Sequence, residues 1–357
     1  MNRRDFITRT ALASVAAGCG LLPGLSPAFA AEDAHHADAD RLVEKFRTDA
    51  GIPDVSLSVM RGEQILYSGY FGTYRASSIV PLASASKWVA GSVIMALVDR
   101  GSLHLDAPIS TYVDGLPAVY GALRLDQLMS YTAGLPGLMR FIEFKQPPTL
   151  TLAQSAQQAA QQPLATTPGT QFDYGGPNLQ FLGAAAEHVT GKKWQQIFTE
   201  CMGKPLGMSS SLWGGLFKQP KAGEFDSNPM LQAGLWTTLD DMNAFVTMIA
   251  GGGTYRGKSI LSAQAIQAMD TVMTHGVRKG FTAPGASGTA TEYMIAHWCE
   301  HEEAGQCTFE SSPGLFGAYP WIDHASNLHG MVLVKDRLQR ISGQERALRN
   351  GLIALYR

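Results

Sequence analysis

Apolar and polar residues alternate from Val55 to Tyr70, in VSLSVMRGEQILYSGY, with a break at Arg61-Gly62. Alternation on both sides of a glycine is typical of a β-hairpin. The next patterned segment, Ser86 to Arg100, has its apolar residues at helical spacing and stops at Gly101. The pattern therefore predicts two strands followed by a helix.

The pattern changes twice in the rest of the chain. Residues 102–230 are rich in Ala, Gln, Leu, Pro and Gly and contain no convincing strand. Within this middle part, helical spacing covers Leu152 to Gln162, Leu179 to Thr190 and Trp194 to Met202. Nearer the C-terminus, strands are predicted at Ala318 to Asp323 and Met331 to Val334, followed by a closing helix from Gln344 to Tyr356. This order predicts an α+β fold (an α/β sandwich), in which an antiparallel sheet is built from both ends of the chain and flanked by helices. We expect 31–85 and 231–357 to form this sheet domain and 86–230 to form an all-helical insert.

The first thirty residues have the features of an export signal. Asn2 to Ile7 (NRRDFI) resembles a twin-arginine motif, an apolar run follows from Ala11 to Leu25, and Ala28 to Ala30 forms a small-x-small cleavage site. We expect cleavage before Ala31 and a periplasmic or secreted protein. The run is short of the about 20 apolar residues of a membrane span, and Cys19 leaves lipid modification as an alternative.

Composition and charge exclude some partners. The chain has 357 residues, 45% of them hydrophobic, and a net charge of -2. Basic runs are no larger than doublets such as Lys192-Lys193, so there is no stripe for a nucleic acid backbone. We expect no nucleic acid partner and no membrane span in the mature form; the oligomeric state is left open.

The cysteines fit an exported protein. Cys299 and Cys307 lie close together in HWCEHEEAGQC, and an oxidising compartment permits a bridge between them. Cys201 is expected to be a small buried residue. His297, Cys299 and His301 alternate, but without a second cluster in the sequence to complete a tetrahedral shell we predict no metal site.

A serine and a lysine stand at the start of the predicted helix. Ser84 and Lys87 are three residues apart, which places them on one face of a helix, and no other lysine of the chain has a serine at that spacing. Lysine can accept a serine proton only where burial lowers its pKa, and Trp88 and Val89 provide apolar surroundings. The motif alone is weak, because about one Ser-x-x-Lys is expected by chance in a chain of this length.

Five further segments follow this motif in order. They are LRLDQLMSYTAGLPG (123–137), PGTQFDYGGPNLQFLGAAAEHVTGKKW (168–194), KPLGM (204–208), QAGLWTTLDDMNAFVTMIAGGG (232–253) and SSPGLFGAYPWID (311–323). Together the six resemble the serine β-lactamase and penicillin-binding protein superfamily. Within it they resemble the branch that holds class C β-lactamases, D-alanyl-D-alanine peptidases and family VIII carboxylesterases. The resemblance covers about residues 50 to 335 and implies a β-lactamase/DD-peptidase-like fold.

The same resemblance implies that Tyr174 is catalytic. A phenol near a lysine can share a proton with it and pass that proton to a leaving group. The alternative from the residues alone is that Tyr174 packs against the helix near Leu179.

Two departures from the family pattern bear on the substrate. The family's Tyr-x-Asn reads Tyr174-Gly175-Gly176, so its amide is absent, and Asn178 is the candidate replacement. The triplet that reads Lys-Thr-Gly, His-x-Gly or Trp-Gly-Gly in the family aligns with Ser312-Pro313-Gly314, which has no lysine for a substrate carboxylate.

An uncharged triplet favours neutral acyl groups, because a contact to a carboxylate contributes about 1.5–3 kcal/mol. Gly314 would let the strand approach a bound carbonyl, so that the amides of Leu315 and Ser84 form an oxyanion hole. The alternative is that Pro313-Gly314 is only a turn.

These residues and the resemblance together predict a serine esterase with Ser84 as nucleophile, Lys87 and Tyr174 as base and acid, and no cofactor. We expect its substrate to be a small-molecule or oligomeric ester or amide. Two alternatives stay open: a D-alanyl-D-alanine carboxypeptidase or β-lactamase, and a non-catalytic binding module with the same fold. Four aromatic residues either line an acyl pocket or belong to the core: Trp213, Trp236, Phe141 and Tyr319.

Overall fold

The computed structural model describes residues 27–137, 149–283 and 292–357. The helices are α1 (Pro27–Ala50), α2 (Ser86–Asp99), α3 (Ala118–Gly121), α4 (Leu125–Met129), α5 (Leu152–Ala159), α6 (Asn178–Thr190), α7 (Trp194–Phe198), α8 (Lys204–Leu206), α9 (Leu239–Ala250), α10 (Ala263–Met269) and α11 (Leu338–Tyr356). The strands are β1 (Val55–Arg61), β2 (Gln64–Phe71), β3 (Val80–Pro81), β4 (Gln171–Phe172), β5 (Leu212–Trp213), β6 (Leu235–Thr237), β7 (Thr254–Tyr255), β8 (Lys258–Ser259), β9 (Arg278–Lys279), β10 (Glu292–Tyr293), β11 (Trp298–Glu303), β12 (Gln306–Ser311), β13 (Tyr319–Asp323) and β14 (Leu328–Leu333).

One antiparallel sheet joins the two ends of the chain. Its seven strands lie in the order β10-β11-β12-β13-β14-β1-β2, so the N-terminal hairpin pairs with the last strand. The predicted α+β class, with an antiparallel sheet flanked by helices, is confirmed. The predicted domain boundaries stay a prediction.

Helices cover both faces of this sheet, which explains why β1 is buried along almost its whole length. Val55, Leu57 and Val59 point into a core with residues of α1 and α11. The serines between them face α9, where Ser58 Oγ donates a hydrogen bond to Asn243 Oδ1 at 2.5 Å. The alternation in β1 therefore does not separate core from solvent. One face of the strand lies against an apolar interior, and the other lies against an interior that contains a buried hydrogen bond.

The elements with the clearest patterns are present. The hairpin turns at Gly62-Glu63, and the predicted helix after it runs from Ser86 to Asp99. Helix α1 and strands β11 and β12 were not predicted. Two short strands, β4 and β5, lie in the middle of the chain, where no strand was expected.

The predicted disulfide between Cys299 and Cys307 is present and links β11 to β12. Cys201 is a free, buried thiol, as expected. A disulfide is compatible with a compartment outside the cytoplasm. No helix in the described ranges combines the length and the apolar character that a membrane span needs. Residues 1–26 lie outside the described ranges, and α1 begins at Pro27, so the predicted cleavage before Ala31 stays a prediction.

Candidate active site

Ser84 and Lys87 lie where a short strand turns into the buried helix α2. Strand β3 ends at Pro81, a 3₁₀ turn covers Ala83–Ala85, and α2 follows. Ala83 has φ of 47°, a left-handed conformation that is unfavourable for a residue with a Cβ. Strain of this kind is tolerated where the surrounding structure holds it, and such sites are frequently functional.

Lys87 is buried and faces the serine. Its side chain is 2% exposed, its Nζ lies 3.0 Å from Ser84 Oγ, and it donates a hydrogen bond to Gln232 O at 2.8 Å. Burial lowers the pKa of Lys87 from 10.5 to about 7. A neutral amine at this distance can accept the proton of the serine hydroxyl. The predicted contact between Ser84 and Lys87 is therefore present, whereas Ser86 points away and accepts a bond from Leu235 N at 3.0 Å.

Tyr174 lies directly beside the lysine. Lys87 Nζ is 4.7 Å from the centre of the Tyr174 ring. A ring face attracts an ammonium group and so favours the charged lysine, but the cost of burial is larger. Burial also raises the pKa of Tyr174 to about 12, although hydrogen bonds with Ser84 and Trp298 partly oppose this rise. Tyr174 therefore keeps its proton at neutral pH and contacts both members of the pair.

An aromatic cluster that the sequence did not reveal holds the Tyr174 ring. Tyr131, Phe172, Tyr293 and Trp298 surround it, with ring centres between 5.1 and 6.4 Å from that of Tyr174. Phe172 lies two residues before Tyr174, whereas Tyr131 and the neighbouring pair of Tyr293 and Trp298 come from distant parts of the chain, so spacing alone does not show that these rings meet. The cluster keeps water away from the phenol and explains its raised pKa.

The loop after β12 runs against the backbone of the nucleophile. A Cβ on Gly314 would lie 2.0 Å from Leu82 O and 3.4 Å from Ala85 N, so only glycine fits this approach. In the described part of the chain, neither Ser84 N nor Leu315 N donates a hydrogen bond to a protein acceptor. Among the described residues, no protein acceptor therefore competes with a ligand oxygen for these two amides. Their joint role as an oxyanion hole stays a prediction.

The remaining predicted site residues are buried near this loop and near Tyr174. Ser312 is 2% exposed and its amide donates to Pro320 O at 3.3 Å. The Asn178 amide donates to Leu128 O at 3.2 Å. A Cβ at Gly176 would lie 2.6 Å from Pro136 O and 3.0 Å from Asn178 Oδ1. The backbone therefore leaves no room for the family's asparagine at 176, and the Asn178 amide lies next to that position.

Of the four aromatic residues that were predicted to line a pocket or the core, the three that the structure describes do not lie together at the site. Trp213 packs edge-on against Trp194 in the core, at 5.5 Å between ring centres. Tyr319 is buried and receives a hydrogen bond from Arg349 at 2.6 Å, so it too belongs to the interior. Trp236 is 6% exposed and donates to Gly215 O at 2.9 Å. Phe141 lies outside the described residues.

A different set of apolar side chains lies exposed beside the oxyanion loop. Leu315 is 43% exposed, and next to it Phe316 contacts Phe217 with 6.1 Å between ring centres. Phe217 itself is 83% exposed. The sequence singled out Leu315 for its amide and gave no reason to single out Phe316 or Phe217. The three side chains form an apolar patch close to Ser84.

Several known proteins are similar to this chain in sequence. AmpH of Escherichia coli K12, a D-alanyl-D-alanine-carboxypeptidase/endopeptidase, is 26% identical over 190 residues, which is 49% of each chain. The 6-aminohexanoate-dimer hydrolase of Paenarthrobacter ureafaciens is 23% identical over 304 residues, 80% of this chain and 72% of that one. The chain spans 49–57% of the length of the first carboxypeptidase relatives that it matches.

Solved structures show the same fold. EstCE1, a hydrolase with promiscuous acyltransferase activity, superposes with a TM-score of 0.73 at 16% identity, covering 91% of this chain and 100% of that one. The family model described as Beta-lactamase matches residues 39–354, most of the chain. The chain therefore belongs to the β-lactamase family, within the superfamily of serine β-lactamases and penicillin-binding proteins.

Proposed function

We propose that this protein hydrolyses esters of uncharged acyl groups through a covalent acyl-enzyme on Ser84. The observation that carries the proposal is the 3.0 Å contact between Ser84 Oγ and the buried Lys87 Nζ. A lysine with a pKa of about 7 is neutral in a large part of the population at neutral pH, so it can act as a base there.

In the proposed reaction, Ser84 Oγ bonds to the ester carbonyl carbon while its proton moves to Lys87 Nζ. The amides of Ser84 and Leu315 hold the negative oxygen of the tetrahedral intermediate. The carbon–oxygen bond to the alcohol then breaks, and the alcohol leaves with a proton delivered through Tyr174. Water adds to the acyl-serine by the same route, and the acid is released.

Two features support a neutral, apolar substrate. The triplet Ser312-Pro313-Gly314 supplies no cation for a carboxylate, and the patch of Leu315, Phe316 and Phe217 offers apolar contact beside the oxyanion loop. The fold shared with EstCE1 and with a family VIII carboxylesterase is compatible with ester chemistry. The AmpH relative keeps peptide cleavage as the alternative.

The substrate class is tested by comparing rates on p-nitrophenyl butyrate, nitrocefin and a D-alanyl-D-alanine peptide. We expect kcat/KM for the ester to exceed the other two by at least about tenfold, since a missing carboxylate contact is worth about 1.5–3 kcal/mol. Incubation with a fluorophosphonate should add one phosphonyl group to the wild-type mass and none to Ser84→Ala.

The outcomes separate the alternatives. A higher rate on nitrocefin or on the peptide would assign the protein to the lactamase or peptidase class. A folded wild-type protein that gains no phosphonyl group and cleaves none of the three compounds would be a binding module.

We also propose that the protein acts in the periplasm. The twin-arginine pattern at 2–7 and the Cys299–Cys307 disulfide support this location. N-terminal sequencing of the protein from a periplasmic fraction should give Ala31 as the first residue. Recovery of the chain with Met1 intact in the cytoplasm would contradict the proposal.

A further inference from the structure

A cluster of histidine and carboxylate side chains lies behind the active site and takes no part in the proposed reaction. His297 and Glu310 are 0% and 1% exposed, and His297 Nε2 lies 3.2 Å from Glu310 Oε2 and 4.0 Å from Asp270 Oδ1. His324 Nε2 contacts the other oxygen of Glu310 at 2.6 Å. Two imidazoles and two carboxylates thus meet in one small volume, in which His297 and Glu310 are buried and His324 lies at the surface edge with its side chain 43% exposed.

The hydrogen bonds of His297 show which of its nitrogen atoms faces the carboxylates as a ligand. Nδ1 lies 2.8 Å from Ile295 O, and a carbonyl can only accept, so Nδ1 carries a proton. In a neutral imidazole this leaves the lone pair on Nε2, which points at Glu310 and Asp270. Metal-binding histidines usually donate their other ring N–H to a backbone carbonyl in this way.

A single proton does not satisfy this cluster. Nε2 can hold at most one proton, but two carboxylate oxygens converge on it. Asp270 Oδ1 is buried and has no hydrogen-bond partner among the described residues. A buried carboxylate oxygen without a partner costs stability, and a cation between the three groups would remove that cost.

We propose that Asp270, His297 and Glu310 bind one divalent cation, with Zn²⁺ preferred. The candidate ligand atoms, one from each residue, all lie within 4.8 Å of one another. Zn²⁺ takes imidazole nitrogen and carboxylate oxygen at about 2.0–2.2 Å, so ligand atoms in a tetrahedral shell lie about 3.4 Å apart. The observed 3.2 and 4.0 Å bracket this value. The mixed nitrogen and oxygen set is more typical of Zn²⁺ than of Mg²⁺ or Ca²⁺.

The surrounding backbone holds the three groups together before any cation binds. Asp270 ends α10, and Met269 O next to it accepts from Ile295 N at 3.2 Å, two residues before His297. Glu310 lies on β12, where it pairs with Cys299. The His297 ring also stacks on Trp88, 4.5 Å between ring centres, so its orientation is fixed.

The site would join the segments that carry the active site without touching the substrate. His297 precedes Trp298, which contacts Tyr174, and Glu310 lies two residues before Ser312. A bound cation would therefore stabilise the loop after β12 against α2. This cation site is separate from the proposed hydrolysis and does not depend on it. The site also departs from the sequence-based expectation of no metal.

The test uses the full chain without an affinity tag, stripped by chelator and dialysed. We expect it to bind one equivalent of Zn²⁺, measured by elemental analysis and by competition with a chromogenic chelator. We also expect its melting temperature to rise when Zn²⁺ is added. The near-isosteric variants Asp270→Asn and Glu310→Gln should each weaken Zn²⁺ binding by at least about tenfold. The pair His275 and Glu302 is a matched control, since it also joins a histidine to a carboxylate, at 2.7 Å, but at the surface.

Glu302→Gln should leave Zn²⁺ affinity unchanged. The proposal is overturned if wild type binds less than a stoichiometric amount, or if Glu302→Gln weakens binding while Asp270→Asn does not. Unchanged Zn²⁺ affinity in both Asp270→Asn and Glu310→Gln would equally overturn the proposal. The cluster would then be a hydrogen-bond network whose members share protons. If Asp270→Asn or Glu310→Gln fails to fold, its melting curve shows this, and the Zn²⁺ affinity of the other of these two variants decides the question.

Discussion

Ser84→Ala and Lys87→Met are each expected to reduce kcat/KM on a reactive ester by about 10²–10⁴-fold, the range that one general base contributes. Ser84→Ala removes the atom that forms the acyl bond. Lys87→Met keeps the length of the buried side chain but removes the amine 3.0 Å from Ser84 Oγ. Because the two groups act in one step, the double variant should be little slower than the worse single variant.

The pH dependence distinguishes a base from a structural lysine. Burial lowers the pKa of Lys87 to about 7, and the amine must be neutral to accept a proton. In wild type, kcat/KM should therefore rise about tenfold per pH unit below pH 7 and level off above it. The pKa of Tyr174, raised to about 12 by burial, predicts no fall over the accessible alkaline range.

Lys45→Met on the exposed face of α1 is the matched control, since its side chain is 72% exposed and should not affect catalysis. Residual activity of Lys87→Met should lose the rise near pH 7. If Lys87→Met kept both the wild-type rate and the wild-type pH profile, another group would be the base, and the proposed mechanism would be wrong.

The parts of the site that the sequence predicted are those encoded by short spacing or by the family pattern. Ser84 and Lys87 are one helical turn apart, so any helix there brings them together. Tyr174 is 87 residues beyond Lys87 in the numbering, and only the resemblance placed it at the site. The partner of Lys87 on its other side, Gln232 O, is a backbone atom 145 residues away, and no residue type encodes such a contact.

The elements that were missed have sequences that do not favour them. Strand β11 reads WCEHEE, and glutamate has low strand propensity. Pairing with β12 and the disulfide between them determine its conformation. Helix α1 has a mean hydropathy too low to stand out. Within its residues 35–50, a narrow stripe that includes Val43 and Phe46 is buried against the sheet and α11. In both cases tertiary contacts decide what the local pattern leaves open.

Gly314→Ala is expected to lower kcat/KM by about 10²-fold or more while most of the protein remains folded. The added Cβ would meet Leu82 O at 2.0 Å, a backbone atom that cannot rotate away, so the loop after β12 must move. A shift of about 1 Å between catalytic groups can cost 10²-fold. It would also separate the amides of Leu315 and Ser84, and loss of one oxyanion donor costs about 10²–10³-fold.

Gly343→Ala is the control for the chemical change itself, because a Cβ there has no atom within 4 Å. It lies in α11, where alanine favours the helix by about 0.5–1 kcal/mol, so its melting temperature should not fall. Complete labelling of a separate sample with a fluorophosphonate gives the fraction of sites that can still react, and this fraction together with the melting curve separates slow chemistry from unfolding. Wild-type kcat/KM in a folded Gly314→Ala would mean that the Pro313-Gly314 segment is only a turn and that the oxyanion amides lie elsewhere. A loss confined to Gly314→Ala would tie the rate to the approach of this loop to the nucleophile, since the two glycines differ in what surrounds them and not in the atom that is added.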